Sequence, residues 1–374
     1  MKNQKNKFVS SLKRRWFLVG LAVALSLIIF GSDSLPVKAW DWNRAPGKLQ
    51  VKAVVVTAFE IGNDTGDIPG EFQNWVEKEN LDRIYPLPIA YHDVRSNGKG
   101  LIAIVTGEGK SNAASSIMAL GGDPRFDLTK AYWLVAGIAG IDPEDGSLAS
   151  AAWAEWVVDG DLANEIDSRE IPPSWPYGYF PQGSGAPNVK PPPTTFFNMV
   201  YHLNPSLVEW AYQLTKNIQL DDSPSLAKYR AQYDGYPNAQ KPPFVLKGDD
   251  LAADTFWFGK VLNQWANDWV KLWTDGKGNY VTSLFEDTGI LQSLTNLAKG
   301  DKVDLNRVLV LRTASDYTSP APNMDTTETF ANQSVTGNYP DGGASFSSAY
   351  KVGSAVIHQI LNHWKQYEHT IPGA

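Results

Sequence analysis

The stretch 105-VTGEGKSNAASSIMAL-120 places a two-glycine turn and Gly-Lys-Ser between an apolar run and a series of small helix-forming residues. A phosphate-cradling P-loop needs a glycine five positions before its Gly-Lys pair, so that successive backbone N–H groups wrap the phosphates. That position is Ile104, inside the apolar run 101-LIAIVTG-107. The dinucleotide fingerprint fails as well, because Asn112 stands where its third glycine belongs. What survives is a strand, a turn and a helix start, a generic site for an anion or a sugar.

The same alternation continues along the chain. The runs 51-VKAVVVTAF-59, 132-YWLVAGIAG-140 and 307-RVLVLRTAS-315 read as strands apolar on both faces, as suits the middle of a covered sheet. Weaker strands are 153-WAEWVVD-159, 244-FVLKG-248 and 280-YVTSLFE-286. A 3.6-residue period links Phe258, Val261, Leu262, Trp265, Trp269, Leu272 and Trp273, and another links Phe346, Ala349, Tyr350, Gly353, Ile357, Ile360 and Trp364. Strands interleaved with helices predict an α/β sandwich.

The N-terminus reads as a secretory signal peptide over residues 1–39. Lys2, Lys5, Lys7, Lys13, Arg14 and Arg15 precede the apolar run 17-FLVGLAVALSLIIF-30, and Val37-Lys38-Ala39 offers a cleavage point. The alternative is an uncleaved anchor, although a comfortable span takes about 20 apolar residues. The segment 13-KRRWFL-18 resembles a twin-arginine signal, with Lys13 where a Ser or Thr is usual. The expected location is periplasmic or extracellular. There is no cysteine, so no disulfide supports the fold.

Of 33 Lys+Arg and 40 Asp+Glu, residues 1–39 hold seven basic and one acidic, which leaves 26 against 39 and a net charge of −13. A nucleic-acid partner demands the opposite sign. No further run of 18 apolar residues follows position 40, so no transmembrane span is expected in residues 40–374. Those residues read as a single α/β domain. Between about 170 and 245, prolines 172, 173, 176, 181, 187 and 191–193 break the pattern and mark an insertion over one end of the sheet.

The five histidines form no His-x-x-x-His pair, so no metal site is expected. No Gly-x-Ser-x-Gly supports a serine nucleophile. Asp64, Asp67 and Glu71 in 63-NDTGDIPGE-71 lack calcium-loop spacing and read as a solvated turn. The informative carboxylates end strands: Glu60, Glu286 and Asp316. In open α/β sheets ligands gather beyond the carboxyl ends of strands. Each acid could instead cap the segment that follows it.

The order 106-TGEGKSNAA-114, 135-VAGIAG-140, 284-LFEDT-288 and 312-RTASD-316 resembles the nucleoside phosphorylase/nucleosidase superfamily. From about residue 50 to the C-terminus the chain more closely resembles the purine nucleoside permease family, through 59-FEIGNDTGDIPGEFQNW-75, 119-ALGGDPRFDLTKAYW-133 and 151-AAWAEWVVDGDLANEID-167. The resemblance implies a three-layer sandwich with a central mixed sheet and a purine nucleoside ligand. It implies no cofactor, with phosphate as the candidate co-substrate.

Mapped by motif, Ser315 and Asp316 would meet purine N7, where a proton makes the base a neutral leaving group. Glu286, after Phe285, would hold the ribose hydroxyls. Glu60 would activate water. Gly107, Gly109, Lys110, Ser111 and Asn112 would face the water or phosphate. Phe256, Trp257 and Phe180 are the candidates for stacking on the base. The phosphate-binding arginines of phosphorylases have no counterpart here, and Arg312 lies inside the strand ahead of Asp316.

Cleavage of the N-glycosidic bond is therefore one expectation. A second is nucleoside capture for uptake through a membrane transport partner. A third is an unrelated ligand, because fold does not fix function.

Overall fold

The computed structural model describes residues 48–193, 197–331 and 342–373. The proposed leader at 1–39 lies outside the described residues. Eight strands carry the argument: β1 (Ala53–Thr57), β2 (Leu101–Val105), β3 (Tyr132–Ile141), β4 (Ala151–Ala154), β5 (Trp156–Asp159), β6 (Asp249–Ala252), β7 (Tyr280–Leu284) and β8 (Val308–Tyr317). With shorter pieces named by their residues, they belong to one mixed sheet, twelve-stranded among the described residues.

The long strand β3 is the hub. Its first half pairs in parallel with β1, which pairs in parallel with β2. Its last two residues pair antiparallel with β7, and β7 continues the sheet to β6 and β5. Along its other edge β3 runs parallel to β8, which is antiparallel to β4. Every residue of β1, β2 and β8 is buried, as their two-sided apolar runs require.

Helices cover the faces: α1 (Gln73–Lys78), α2 (Lys110–Gly122), α3 (Lys260–Trp273), α4 (Asp287–Ala298) and α5 (Gly342–Asn362). The stripe Trp265, Ala266, Trp269 and Val270 buries α3, while Val352, Val356, Ile357 and Ile360 bury α5. The two long-period segments thus become helices at the expected places. Trp265 and Trp269 are buried and Trp273 half-buried, and none of them lines the main cavity.

The segment 170–245 is more integrated than an insertion over the sheet end. Val200–His202 forms an edge strand on β5, and the helix Pro205–Thr215 buries Leu207, Val208 and Ala211 in the main core. Asn204 starts that helix by accepting from two backbone N–H groups, the usual role of an N-cap. Among its described residues none lines the main cavity.

Helices α2 and α4 approach closely at their N-terminal ends. A Cβ on Gly289 would lie 2.5 Å from the Lys110 carbonyl oxygen, a backbone atom that cannot step aside alone. Gly289→Ala is therefore expected to cost about 1–3 kcal/mol by overpacking. Gly122→Ala, with open space around its Cβ, should be neutral or gain up to about 1 kcal/mol from helix propensity. Urea unfolding of both variants checks this, and equal effects would refute the packing argument.

Candidate functional site

Beyond the ends of β3, β7 and β8 lies a cavity of about 330 Å³. Its walls are largely apolar, from Ala58, Phe59, Ile138, Trp257, Leu284 and Phe285. Besides the exposed Glu108, three buried carboxyl groups line it: Glu71, Glu286 and Asp316. They are 3%, 3% and 4% exposed, so each is withdrawn from water yet faces the cavity.

Asp316 is aimed by a break in the β3–β8 ladder. Ala314 pairs with Ala139 and Asp316 with Gly140, which leaves Ser315 as an extra residue. Successive side chains of a regular strand face opposite ways, whereas a bulge re-aims one of them. Here Ser315 and Asp316 both line the cavity. The Ser315 Oγ lies 2.7 Å from Asp316 Oδ1 and 3.2 Å from the Ala139 carbonyl. Burial pushes the Asp316 carboxyl up to about 6, against the opposing hydrogen bond from Ser315.

Glu286 follows β7 at the start of α4 but does not cap it: no α4 N–H is bonded by its side chain. Its Oε1 instead accepts from the Gly109 N–H at 3.0 Å. Burial raises its pKa, with Arg312 and the Gly109 N–H pulling the other way.

Glu71 replaces Glu60 as the third acid. Glu60 lies outside the cavity lining. Its carboxylate accepts from the N–H groups of Ile61 (2.7 Å), Gly70, Phe72 (2.8 Å) and Gln73 (2.5 Å), tying the loop to the start of α1. Glu71, read from sequence as part of a solvated turn, accepts from the Ala58 N–H and the Ile138 N–H at 2.7 Å each. Burial raises it to about 7, with Arg312 as the strongest opposing influence. Asp64 of the same turn is held by Arg95 at 2.6 Å and His92 at 3.0 Å.

The glycines of 135-VAGIAG-140 now have a physical reason. A Cβ on Gly137 would lie 2.4 Å from Glu71 Oε1 and 2.5 Å from an Arg312 Nη. One on Gly140 would crowd Thr318, Ser283 and Asp316 at 3.0–3.4 Å. Bare backbone lets the carboxyl groups reach the strand.

Of the glycine turn, Glu108 alone reaches the cavity lining, and the rest lies beside it. Ser111, Asn112 and Gly109 line a neighbouring depression with Glu108, Asp254 and Phe285. Gly107 takes φ +80°, and its missing side chain admits the Tyr91 ring. The Lys110 N–H is bonded by Asp254 at 2.8 Å, and its Nζ is held between Asp159 and Asp161 at 2.7 Å each. The N-terminal end of α2 is thus already faced by carboxylates.

Of the stacking candidates, Phe256 and Trp257 line the cavity, joined by Phe59. Phe256 is 42% exposed and packs on the Phe285 and Phe330 rings. Phe180 packs on Trp175 and lies outside the cavity lining. Arg312 is 2% exposed and is also outside that lining. Its guanidinium binds Asp287, through Nε at 3.2 Å and through Nη2, and lies 3.8 Å from Glu286.

Comparison with known proteins agrees with this architecture. Residues 50–372 match the family described as purine nucleoside permease (NUP). A probable purine nucleoside permease of Schizosaccharomyces pombe is 34% identical over 358 residues, 94% of this chain and 98% of that protein. A purine nucleoside permease of Candida albicans is 34% identical over 327 residues, 85% of this chain and 77% of that one. Among solved structures, futalosine hydrolase of Helicobacter pylori matches at TM-score 0.50 and 14% identity, over 83% of this chain and 98% of its own. The 5'-methylthioadenosine/S-adenosylhomocysteine nucleosidase of Helicobacter pylori matches at 0.51 and 13%, over 83% and 100%. These structures share the fold. By sequence, the chain belongs to the purine nucleoside permease family.

Proposed function

We propose that the cavity binds a purine nucleoside and hydrolyses its N-glycosidic bond. The observation that carries this reading is the convergence of Asp316, Glu286 and Glu71 on one largely apolar cavity. Asp316, protonated below about 6, donates to purine N7, so the base departs neutral as the C1'–N9 bond breaks. Glu286 accepts from the ribose hydroxyls and stabilises the positive charge that develops on the sugar. Glu71 takes a proton from water as the water oxygen bonds to C1'. Ribose and free base are the products.

Water suits the site better than phosphate does. The helix N-terminal N–H groups that would hold an anion face Asp254 and Glu286, and the Lys110 charge is shared by two aspartates.

The name of the relatives favours a second reading, nucleoside capture in support of uptake. No helix among the described residues is long and apolar enough to cross a membrane, so these residues would deliver ligand to a membrane partner rather than conduct it. In both readings the N-terminal basic and apolar anatomy supports export to the periplasm or cell exterior, with the remaining chain acting as one domain. Incubation with inosine or adenosine, with and without phosphate, separates the readings. Release of free base without phosphate supports hydrolysis, and tight binding with no base released over hours supports capture.

Asp316→Asn should lower kcat/KM about a hundred- to ten-thousand-fold while binding persists; turnover at the parent rate would remove the mechanism. The same substitution should stabilise the fold at alkaline pH. The folded protein holds the Asp316 proton up to about 6, the unfolded chain only to about 3.9, so stability falls as pH rises between these values. Above them the buried charge costs roughly 1–3 kcal/mol, which the amide recovers. Melting temperatures of both proteins across pH test this, and a variant no more stable at alkaline pH would contradict it.

The acid titrates near 6 and the base near 7, so the productive pair, protonated Asp316 with ionised Glu71, is a minority at every pH. The kcat/KM profile is expected to be a narrow bell between these values. Glu71→Gln should remove the acid limb, and retention of that limb would assign the base elsewhere.

A further inference from the structure

Beneath the cavity, Arg312 is surrounded by four carboxyl groups: Glu71, Asp250, Glu286 and Asp287. Asp250 and Asp287 are fully buried. Ionisation of all four would leave three uncompensated negative charges without water, far beyond what a protein interior tolerates. Protons must therefore be stored in the cluster. Glu71 can store one and exchange it during turnover, because it opens to the cavity. Asp250 has no such opening. Its Oδ1 accepts from the Thr282 hydroxyl, while its Oδ2 meets no N–H or hydroxyl donor. The carboxyl group within hydrogen-bonding range of Asp250 is that of Asp287. Two carboxyl groups in contact are both satisfied only when one proton lies between them.

We propose that Asp250 and Asp287 share one proton permanently, and that Asp250 is thereby a positioning residue. The pair carries a single negative charge, placed on the side that binds Arg312. It holds the guanidinium where it influences Glu71 and Glu286 without neutralising either. The groups facing Asp250 are Thr282 and Asp287, with Arg312 in range; those facing Arg312 are Asp287, Glu286, Glu71 and the Ile138 carbonyl. Burial and the Asp287 charge both favour a protonated Asp250. The consequence for turnover rests on the hydrolytic reading above; the shared proton does not.

The test has two arms. The first is infrared spectroscopy of the purified chain at about pH 8.5, where Asp316 and Glu71 have ionised. The parent should show the carbonyl stretch of a protonated carboxylic acid, and Asp250→Asn and Asp287→Asn should each lose it. Absence of the band in the parent, or its survival in both variants, overturns the shared proton whatever the chain catalyses. The second arm is the pH profile of kcat/KM. In Asp250→Asn the amide replaces the acid as donor to Asp287, so the acid limb stays at the parent position. In Asp287→Asn the negative charge moves away from Arg312, and the acid limb shifts to lower pH by up to about one unit. Loss of thermal stability in Asp287→Asn with an unmoved limb would show a purely structural pair and refute the positioning role.

Discussion

A single buried guanidinium organises the site. Arg312 enters from β8, meets Asp287 at the head of α4, and lies within reach of Glu286 and Glu71. Removing one partner of such a buried pair typically costs about 3–5 kcal/mol, because the other charge is left without water or counter-ion. The same guanidinium opposes the effect of burial on Glu71 and Glu286. Without it the two carboxyl groups would be neutral over a wider pH range and would serve poorly in the proposed roles of base and ribose acceptor. Stability and the ionisation of the cavity carboxyl groups therefore depend on one contact between a strand and a helix.

The backbone makes that contact possible. Arg312 needs room beside β3, and Gly137 supplies it by having no Cβ. Asp316 needs to face the cavity beside Ser315, and the bulge allows it. Glu286 needs an N–H donor from outside its own helix, which the Gly109 turn provides because α2 and α4 meet closely at Gly289. These are close approaches between segments far apart in the chain, each at a residue without a side chain or at an irregularity in the ladder.

Much of this was legible in the sequence. Strands apolar on both faces announce a covered sheet, and Asp316 and Glu286 stand out because each ends a predicted strand, though that of Glu286 is one of the weaker ones. The third acid was not legible. Glu60 follows a strand just as they do, yet the loop folds back and spends its carboxylate on backbone N–H groups. Glu71 ends a glycine-rich acidic stretch that reads as solvated. It is buried by Ala58 and Ile138, contacts 13 and 67 residues away in sequence. A local signal did exist: Glu71 directly precedes Phe72, Trp75 and Val76, all buried. Phe180 failed as a stacking candidate for the opposite reason, because its aromatic neighbour Trp175 keeps it in a separate cluster.

The unpaired residue in β8 has an evolutionary corollary. Since Ser315 and Asp316 both face the cavity only because the strand carries one supernumerary residue, the proposed chemistry depends on the count of residues in that strand as well as on their identity. A deletion of Ser315 would restore a regular ladder, set the acid directly after Ala314 and remove the hydroxyl that bonds its Oδ1, however conservative the flanking sequence. Length changes should therefore be excluded from β8 at this point.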